Sequence, residues 1–214
     1  MRYYVVSDIH GFCAELKQTL RKAGYFVDSK PHKLVLLGDL LDRGEEALEM
    51  EEFILTLMKR DELILIRGDH EDLFEEFVTG HWQRDFLTFV ASGTYDSTLQ
   101  LTDYTNYRVL RDVKRFFAEA RESDFYRRIL PAMRDYYETR NHVFVHGSLP
   151  GRTMEDGGTD WRKAPKSAWA KARRTNGADT AQTVCEGKTI VRDRKCGAVN
   201  VLVLEDEEFD MAQT

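Results

Sequence analysis

The sequence predicts an α/β fold, and two patterns in the first half of the chain support this. Short and nearly continuous apolar runs alternate there with longer amphipathic stretches. Such runs are typical of strands covered on both faces of a sheet, and the amphipathic stretches are typical of the covering helices. The chain has 214 residues, the size of one domain, and 42% of them are hydrophobic, which is enough to form a core.

Three strand–loop–helix units follow one another along this half. The predicted strands are Tyr3 to Val6, Leu34 to Leu37 and Leu63 to Ile66. The predicted helices are Phe12 to Ala23, Glu45 to Arg60, and an acidic helix that runs through Phe77. Gly24 is placed to end the first helix as a C-cap.

The second half is predicted to be mainly helical over residues 81–131 and then to return to strands. The polar stretch from Ser92 to Ser97 is expected to be a loop within this helical insert. The remaining predicted elements are a hairpin from Tyr136 to Val145, a helix from Ala168 to Arg174, and strands at Thr189 to Val191 and Val199 to Leu204. Residues 205–214 are expected to form an acidic, solvated tail of a single domain that covers residues 1–214.

Composition excludes several classes of protein. The chain carries 31 basic and 37 acidic residues, and its net charge of −6 argues against a broad nucleic-acid-binding surface. No apolar run approaches the roughly 18 residues that a membrane helix needs, and the apolar start is too short for a signal peptide. Three scattered cysteines do not suggest a disulfide framework. We therefore expect a cytoplasmic protein with no membrane partner and no specific nucleic-acid binding.

Acidic residues follow each of the three predicted strands, and histidines follow two of them. The residues concerned are Asp8, His10, Asp39, Asp42, Asp69 and His70. Ligands in open α/β sheets bind beyond the carboxyl ends of the strands, so these groups should converge. Carboxylates that share a site raise one another's pKa unless a cation neutralises them, and mixed Asp and His ligation suits Mn, Fe or Zn. The sequence therefore predicts a pair of divalent metals.

Each of these residues also has an ordinary structural explanation when it is taken alone. An aspartate after a strand is often a helix N-cap, and a single histidine is usually a surface residue. Three such motifs in order, each directly after an apolar strand, favour the metal site.

These motifs, with a fourth one later in the chain, resemble those of the calcineurin-like metallophosphoesterases. The matching segments are Ser7 to Gly11, Gly38 to Gly44, Arg67 to Glu71, and Val145 to Gly147. The similarity is greatest to the branch with the PPP serine/threonine protein phosphatases and the symmetrical diadenosine tetraphosphatases. It implies a two-sheet sandwich flanked by helices, in four layers α/β/β/α. It also implies hydrolysis of a phosphorylated substrate, with a PPP-type protein phosphatase favoured and a diadenosine tetraphosphatase-like nucleotide hydrolase as the alternative.

The resemblance assigns metal ligands residue by residue. Asp8 and His10 would bind the first metal ion, Asp69 and His146 the second, and Asp39 would bridge the two. The ions are expected to be Mn, with Fe or Zn as alternatives, and would activate a water for attack on phosphorus.

The resemblance also assigns residues to the substrate. Arg43 and Arg67 would grip the phosphoryl oxygens through paired, charge-assisted hydrogen bonds. His70 would protonate the leaving alkoxide, and Asp42 would hold its imidazole in the right orientation.

Two positions depart from the family pattern. Asp69 stands where the family has asparagine; a carboxylate binds metal but cannot donate an amide hydrogen bond to phosphate, so we expect slower turnover. The family also places a Gly-His after a late strand, whereas no histidine follows His146 here. Either the second metal site is weakened, or Asp193 substitutes, or residues of this loop are missing. A catalytically impaired regulator that binds phosphate or metal is therefore a further alternative.

Overall fold

The computed structural model describes most of the chain. The described residues are 1–80, 85–150, 160–174, 184–185, 188–191 and 199–207. The strands among them are β1 Arg2–Val6, β2 His32–Leu36, β3 Leu63–Leu65, β4 Tyr136–Glu138, β5 His142–Val145, β6 Val184–Cys185, β7 Lys188–Val191 and β8 Leu202–Glu205. The α-helices among them are α1 Cys13–Lys22, α2 Ala47–Met58, α3 Asp69–Val78, α4 Phe86–Ser92, α5 Thr94–Thr102, α6 Asn106–Arg111, α7 Val113–Glu122, α8 Leu130–Ala132 and α9 Lys166–Arg173.

The first sheet has the strand order β3-β2-β1-β8, and the C-terminal ends of β1, β2 and β3 lie next to one another. Strands β1, β2 and β3 are parallel, and β8 is antiparallel to β1. Leu36 is the partner of both Val6 and Leu65 in the register. The loops that follow these three strands therefore start side by side at one edge of the sheet.

The second sheet has the order β4-β5-β7-β6 and packs face to face against the first. Strands β5 and β7 are parallel, with Phe144 opposite Val191. Tyr3 and Val5 of β1 are buried against this second sheet, whereas Tyr4 and Val6 are buried against the helices. Because side chains alternate between the two faces of a strand, both faces of β1 are apolar, which explains the continuous apolar runs.

Helices cover both outer faces of the sandwich. Those from α1 to α7 contribute to the largest apolar cluster, on the outer face of the first sheet. The outer face of the second sheet is covered by Trp161 and Trp169, and the ring of Trp169 stacks on Tyr136 at 5.5 Å. The predicted four-layer α/β/β/α arrangement is confirmed. Among the described residues, no helix is long and apolar enough to cross a bilayer.

Two segments differ from the sequence prediction. The loop expected from Ser92 to Ser97 is a one-residue turn at Gly93 between α4 and α5, and a φ of 93° at this glycine allows the two helices to follow directly. The first residues of the expected acidic tail belong to the fold, since Glu205 ends β8 and Asp206 is buried, and residues 208–214 lie outside the described residues. Asp206 can be buried because it accepts hydrogen bonds from Thr139 and His142, which satisfy its carboxylate oxygen.

Candidate metal centre

The loops after β1, β2 and β5, together with the start of α3 after β3, bring acidic and imidazole groups into two overlapping clusters. His10, Asp39 and His70 form one cluster, and Asp8, Asp39 and His146 form the other. Within each cluster the possible ligand atoms lie within 4.8 Å of one another. Asp39 belongs to both clusters.

The two carboxylate oxygens of Asp39 face different histidines. Asp39 Oδ2 lies 3.8 Å from His10 Nε2, and Asp39 Oδ1 lies 3.6 Å from His146 Nε2. The side chain is 5% exposed, so water does little to screen its charge. A carboxylate arranged in this way can serve two cations at once.

Backbone carbonyls orient the imidazoles of His10 and His146. His146 Nδ1 is 2.5 Å from Leu37 O, and His10 Nδ1 is 3.2 Å from Leu41 O, so Nδ1–H is the donor in each ring. This leaves Nε2 as the nitrogen that faces the site, as in metal-binding histidines.

The contact between His146 and Asp69 tests whether this donor set fits a metal ion. His146 Nε2 lies 2.9 Å from Asp69 Oδ1. With Nδ1 carrying the ring proton, both atoms present electron pairs, so either a second proton or a cation has to lie between them. The donor set of carboxylates and imidazoles at this spacing fits a divalent metal ion.

The loops that carry these groups have an unusual backbone. Five residues other than glycine have a left-handed φ there: Asp8 (50°), His10 (50°), Asp39 (54°), Asp42 (73°) and Arg43 (67°). Such conformations cost about 1–3 kcal/mol each and persist where the surroundings impose them. Main-chain bonds between the loops do so here, with His10 N–H donating to Asp39 O at 2.8 Å.

Glu71 fixes the backbone on either side of the shared carboxylate. Its Oε2 accepts from Asp39 N–H at 2.9 Å and from Gly68 N–H at 2.8 Å, and its Oε1 accepts from Leu40 N–H at 2.9 Å. A Cβ at position 68 would lie 2.4 Å from Asp39 Oδ1, so only glycine fits. Sequence could have indicated this role of Glu71, because it is the third residue of α3 and an acidic side chain at that position commonly accepts hydrogen bonds from the backbone at the helix start.

His70 and Asp42 form a hydrogen-bonded pair beside the clusters. His70 Nδ1 donates to Asp42 Oδ2 at 2.6 Å, and Arg43 Nη2 lies 3.4 Å from His70 Nε2. Burial opposes the charged form of His70, but the hydrogen bond to Asp42 and the nearby carboxylates outweigh it and raise the pKa of the imidazole. The rings of His10 and His70 are 4.8 Å apart, so these two histidines share the site.

The environment raises the pKa of one possible ligand, Asp39, and lowers the pKa values of two others, His10 and Asp69. Burial, together with Arg43 and His70, lowers the pKa of His10 to about 4, which keeps this imidazole neutral. Burial, with the charge of Glu71, raises the pKa of Asp39 to about 8. For Asp69, the hydrogen bond and charge of His146 outweigh burial and lower the pKa to about 2. A neutral imidazole at His10 and a buried carboxylate at Asp39, whose ionised form burial disfavours, both favour a bound cation.

Arg67 is turned toward helix α3. Its Nε donates to Asp72 Oδ1 at 2.7 Å, and its Nη2 donates to Glu75. Contact with a phosphate would require these ion pairs to be exchanged. Asp193, one of the alternatives for the missing late histidine, lies outside the described residues, although β7 ends at Val191 at the same sheet edge as β5.

Comparison with known families agrees with this site. The model of the calcineurin-like phosphoesterases matches residues 1–179, which include every motif residue named above. The chain belongs to this family. The predicted resemblance is confirmed at this level, and with it the assignment to metal-dependent hydrolases.

Two curated relatives carry nucleotide-hydrolase names. The asymmetrical bis(5'-nucleosyl)-tetraphosphatase PrpE of Geobacillus sp. (strain WCH70) is 28% identical over 189 residues, which cover 79% of this chain and 76% of the relative. The symmetrical bis(5'-nucleosyl)-tetraphosphatase of Buchnera aphidicola subsp. Schizaphis graminum is 38% identical over 71 residues, covering 33% of this chain and 24% of the relative.

A solved structure shares the fold. A cold-active protein tyrosine phosphatase superposes with a TM-score of 0.50 at 18% identity, covering 89% of this chain and 55% of the phosphatase. This chain therefore spans about half the length of that protein.

Residues from α5 complete the surroundings of Asp42. Thr94 Oγ1 donates to Asp42 Oδ2 at 2.7 Å, and Ser97 Oγ accepts from Asp42 N–H at 2.8 Å. Both residues are buried. Sequence reasoning missed them because a run of serine and threonine is typical of loops, and no local signal connects them to Asp42.

Proposed function

We propose that this calcineurin-like phosphoesterase hydrolyses phosphate esters and anhydrides with two divalent metal ions. The observation that carries the proposal is the pair of Asp39 oxygens that face His10 and His146 separately. Asp8 and His10 would hold one ion, Asp69 and His146 the other, and Asp39 would bridge them. We expect Mn, with Fe or Zn as alternatives, because mixed Asp and His ligation suits these metals.

The arrangement supports in-line hydrolysis without a phosphoenzyme. When bound, such a metal pair supplies a water of lowered pKa and neutralises charge on the phosphoryl oxygens. Arg43 is exposed and lies beside His70, where its guanidinium can contact the same oxygens. The phosphate role of Arg67 stays a prediction that depends on exchange of its two ion pairs.

His70 supplies the proton for the leaving group. Its Nδ1–H is held by Asp42, so a transferable proton would be carried on Nε2, the ring nitrogen that lies beside Arg43. As the bond between phosphorus and the leaving oxygen breaks, His70 gives this proton to that oxygen. The raised pKa of His70 supports the protonated form that the step requires.

We propose a bis(5'-nucleosyl) tetraphosphate as the preferred substrate. The Geobacillus relative that carries this name aligns with 79% of the chain, and this supports a nucleotide polyphosphate over other phosphorylated compounds. The motif resemblance to PPP protein phosphatases supports a phosphoprotein substrate as the second candidate.

Competing assays separate these two candidates. The chain, loaded with Mn, would be given diadenosine tetraphosphate, a phosphoserine peptide and p-nitrophenyl phosphate, with His70→Gln as the inactive reference. The nucleotide proposal requires the highest kcat/KM for diadenosine tetraphosphate. A higher value for the peptide would favour the protein phosphatase, and no hydrolysis of any substrate by a metal-loaded chain would favour a regulator that binds phosphate or metal.

A further inference from the structure

We propose that Thr94 is a positioning residue that orients His70 through the carboxylate of Asp42. The inference rests on the proposed function, in which His70 protonates the leaving group. Helix α5, which belongs to the helical segment after α3, would then take part in the proton transfer through Thr94.

One oxygen of Asp42 accepts two hydrogen bonds. His70 Nδ1 donates to Asp42 Oδ2 at 2.6 Å, and Thr94 Oγ1 donates to the same oxygen at 2.7 Å. Among the described residues, the other oxygen, Oδ1, is buried and has no hydrogen-bond partner. The terminal torsion of an aspartate has a broad minimum, so Thr94 is the second contact that fixes the plane of this carboxylate.

The hydroxyl of Thr94 is itself held in place. Ser92 Oγ lies 2.9 Å from Thr94 Oγ1, and Thr94 is fully buried at the start of α5. Gly93 packs so closely on the loop after β2 that a Cβ at this position would lie 2.4 Å from Arg43 N. Because the helix start and the loop are in direct contact, the distance between Thr94 and Asp42 is fixed by backbone packing.

The hydrogen bond from Thr94 determines the direction in which His70 presents Nε2. With Thr94 in place, Asp42 points Oδ2 at His70, and His70 points Nε2 at the site. Without the hydroxyl, the imidazole is the only side-chain donor to the buried carboxylate among the described residues, and the two can rotate together away from the leaving oxygen. The loss should therefore concern proton donation and leave substrate binding and metal binding unchanged.

Thr94→Val tests this inference with Thr98→Val as a matched control. Thr98 lies one turn further along α5, is equally buried, and uses its hydroxyl on Thr94 O. Phenyl phosphate needs a proton on its leaving oxygen more than p-nitrophenyl phosphate does, because phenoxide is the more basic leaving group. We expect Thr94→Val to lower kcat for phenyl phosphate by about tenfold or more, with a smaller loss for p-nitrophenyl phosphate and an unchanged KM.

Two further variants sharpen the kinetic test. Thr94→Ser keeps the hydroxyl and should recover the phenyl phosphate rate. In an Asp42→Asn background, Thr94→Val should cause no additional loss, because the carboxylate through which it acts is gone. Equal losses for both substrates, or equal effects of Thr94→Val and Thr98→Val, would overturn the inference.

A readout that does not depend on turnover separates this inference from the proposed function. In ¹⁵N-histidine-labelled protein, the hydrogen-bonded Nδ1 proton of His70 is identified by its loss in His70→Gln. We expect this signal to shift or broaden in Thr94→Val and to remain unchanged in Thr98→Val. If the wild-type chain hydrolyses nothing, the proposed function fails, and an unchanged signal in Thr94→Val would still reject the positioning role. Thr94→Ala replaces Thr94→Val in both measurements if the valine variant is not folded.

Discussion

Asp39 and His146 meet between the two sheets. Asp39 follows β2 of the first sheet, His146 follows β5 of the second, and Asp39 Oδ1 is 3.6 Å from His146 Nε2. Leu37 precedes Asp39 by two residues, and Phe144 precedes His146 by two residues. Both Leu37 and Phe144 are buried in the apolar layer between the sheets. The spacing of the candidate ligands is therefore set by the packing of the core.

Replacing Asp39 with asparagine should lower metal content at both sites. The amide keeps the size of the side chain but removes the charge that faces His10 and His146, so we expect bound metal per chain to fall by at least half. Elemental analysis after dialysis against Mn measures this. Asp61→Asn is the matched control, because Asp61 also has a left-handed φ (53°) but is exposed and outside the site. Full occupancy in Asp39→Asn would reject the bridging role.

Replacing Asp69 with asparagine should raise turnover. The variant restores the amide donor that the family uses and removes a negative charge that repels an anionic substrate. We expect kcat with Mn to rise, with His146 still able to bind metal. Steady-state kinetics with p-nitrophenyl phosphate measures the change. If both proteins bind metal and neither turns over, the regulator hypothesis gains support and the enzyme proposal loses it.

Removing Arg173 should destabilise the protein strongly. This buried side chain donates to Asp72 through Nε at 2.9 Å and Nη2 at 3.0 Å, and through Nη1 to Asp135 at 2.7 Å. Arg173→Met would leave a buried carboxylate with one cation fewer, at a cost of about 3–5 kcal/mol in the free energy of unfolding. Urea denaturation measures this cost.

Its neighbour Arg174 provides the control for this prediction. Arg174 is exposed and pairs with Glu76 at 3.2 Å, so Arg174→Met should cost at most ~1 kcal/mol. Similar losses in the two variants would show that the buried ion pair contributes nothing beyond a surface one.

Asp206 should make stability depend on pH in acid. Burial opposes the charged form, but the hydrogen bonds from Thr139, His142 and Asn141 outweigh it, and the pKa of Asp206 lies below its usual value. A carboxyl with a lower pKa in the folded state contributes stability above its unfolded pKa of about 3.9 and loses it as the pH falls through the folded value. Asp206→Asn should therefore be less stable than the wild type at neutral pH, and this difference should narrow below about pH 4. Urea denaturation at several pH values measures the difference, and a constant difference would contradict the prediction.

The candidate ligands could be predicted from sequence because they depend on topology. Asp8, Asp39 and Asp69 each follow one of the three parallel strands of the first sheet, so their neighbourhood is fixed once these strands are paired. Thr94 could not be found in this way. It is 52 residues from Asp42 in the chain, and hydrophobic periodicity reports which faces are apolar but not which buried polar groups meet.

The segments that differed from prediction share one cause. Ser92 to Ser97 and Asp206 have polar compositions that are typical of solvated segments, yet several of these residues are buried. Each is buried because distant partners satisfy it, Asp42 in one case and His142 in the other. Burial of a polar group follows from its partners in three dimensions, and local composition carries no record of them.

The strand-end loops hold each other's main chain. His10 N–H donates to Asp39 O, Gly11 N–H donates to Leu40 O, and Gly44 N–H donates to His10 O, each at 2.8 Å. Neither loop can open without breaking bonds of the other, so in hydrogen exchange these amides should open as one cooperative unit. Preference among phosphorylated compounds then has to come from the side chains and helices around these two rigid loops. Substitutions in those surroundings can therefore change the preferred leaving group while the two loops stay unchanged.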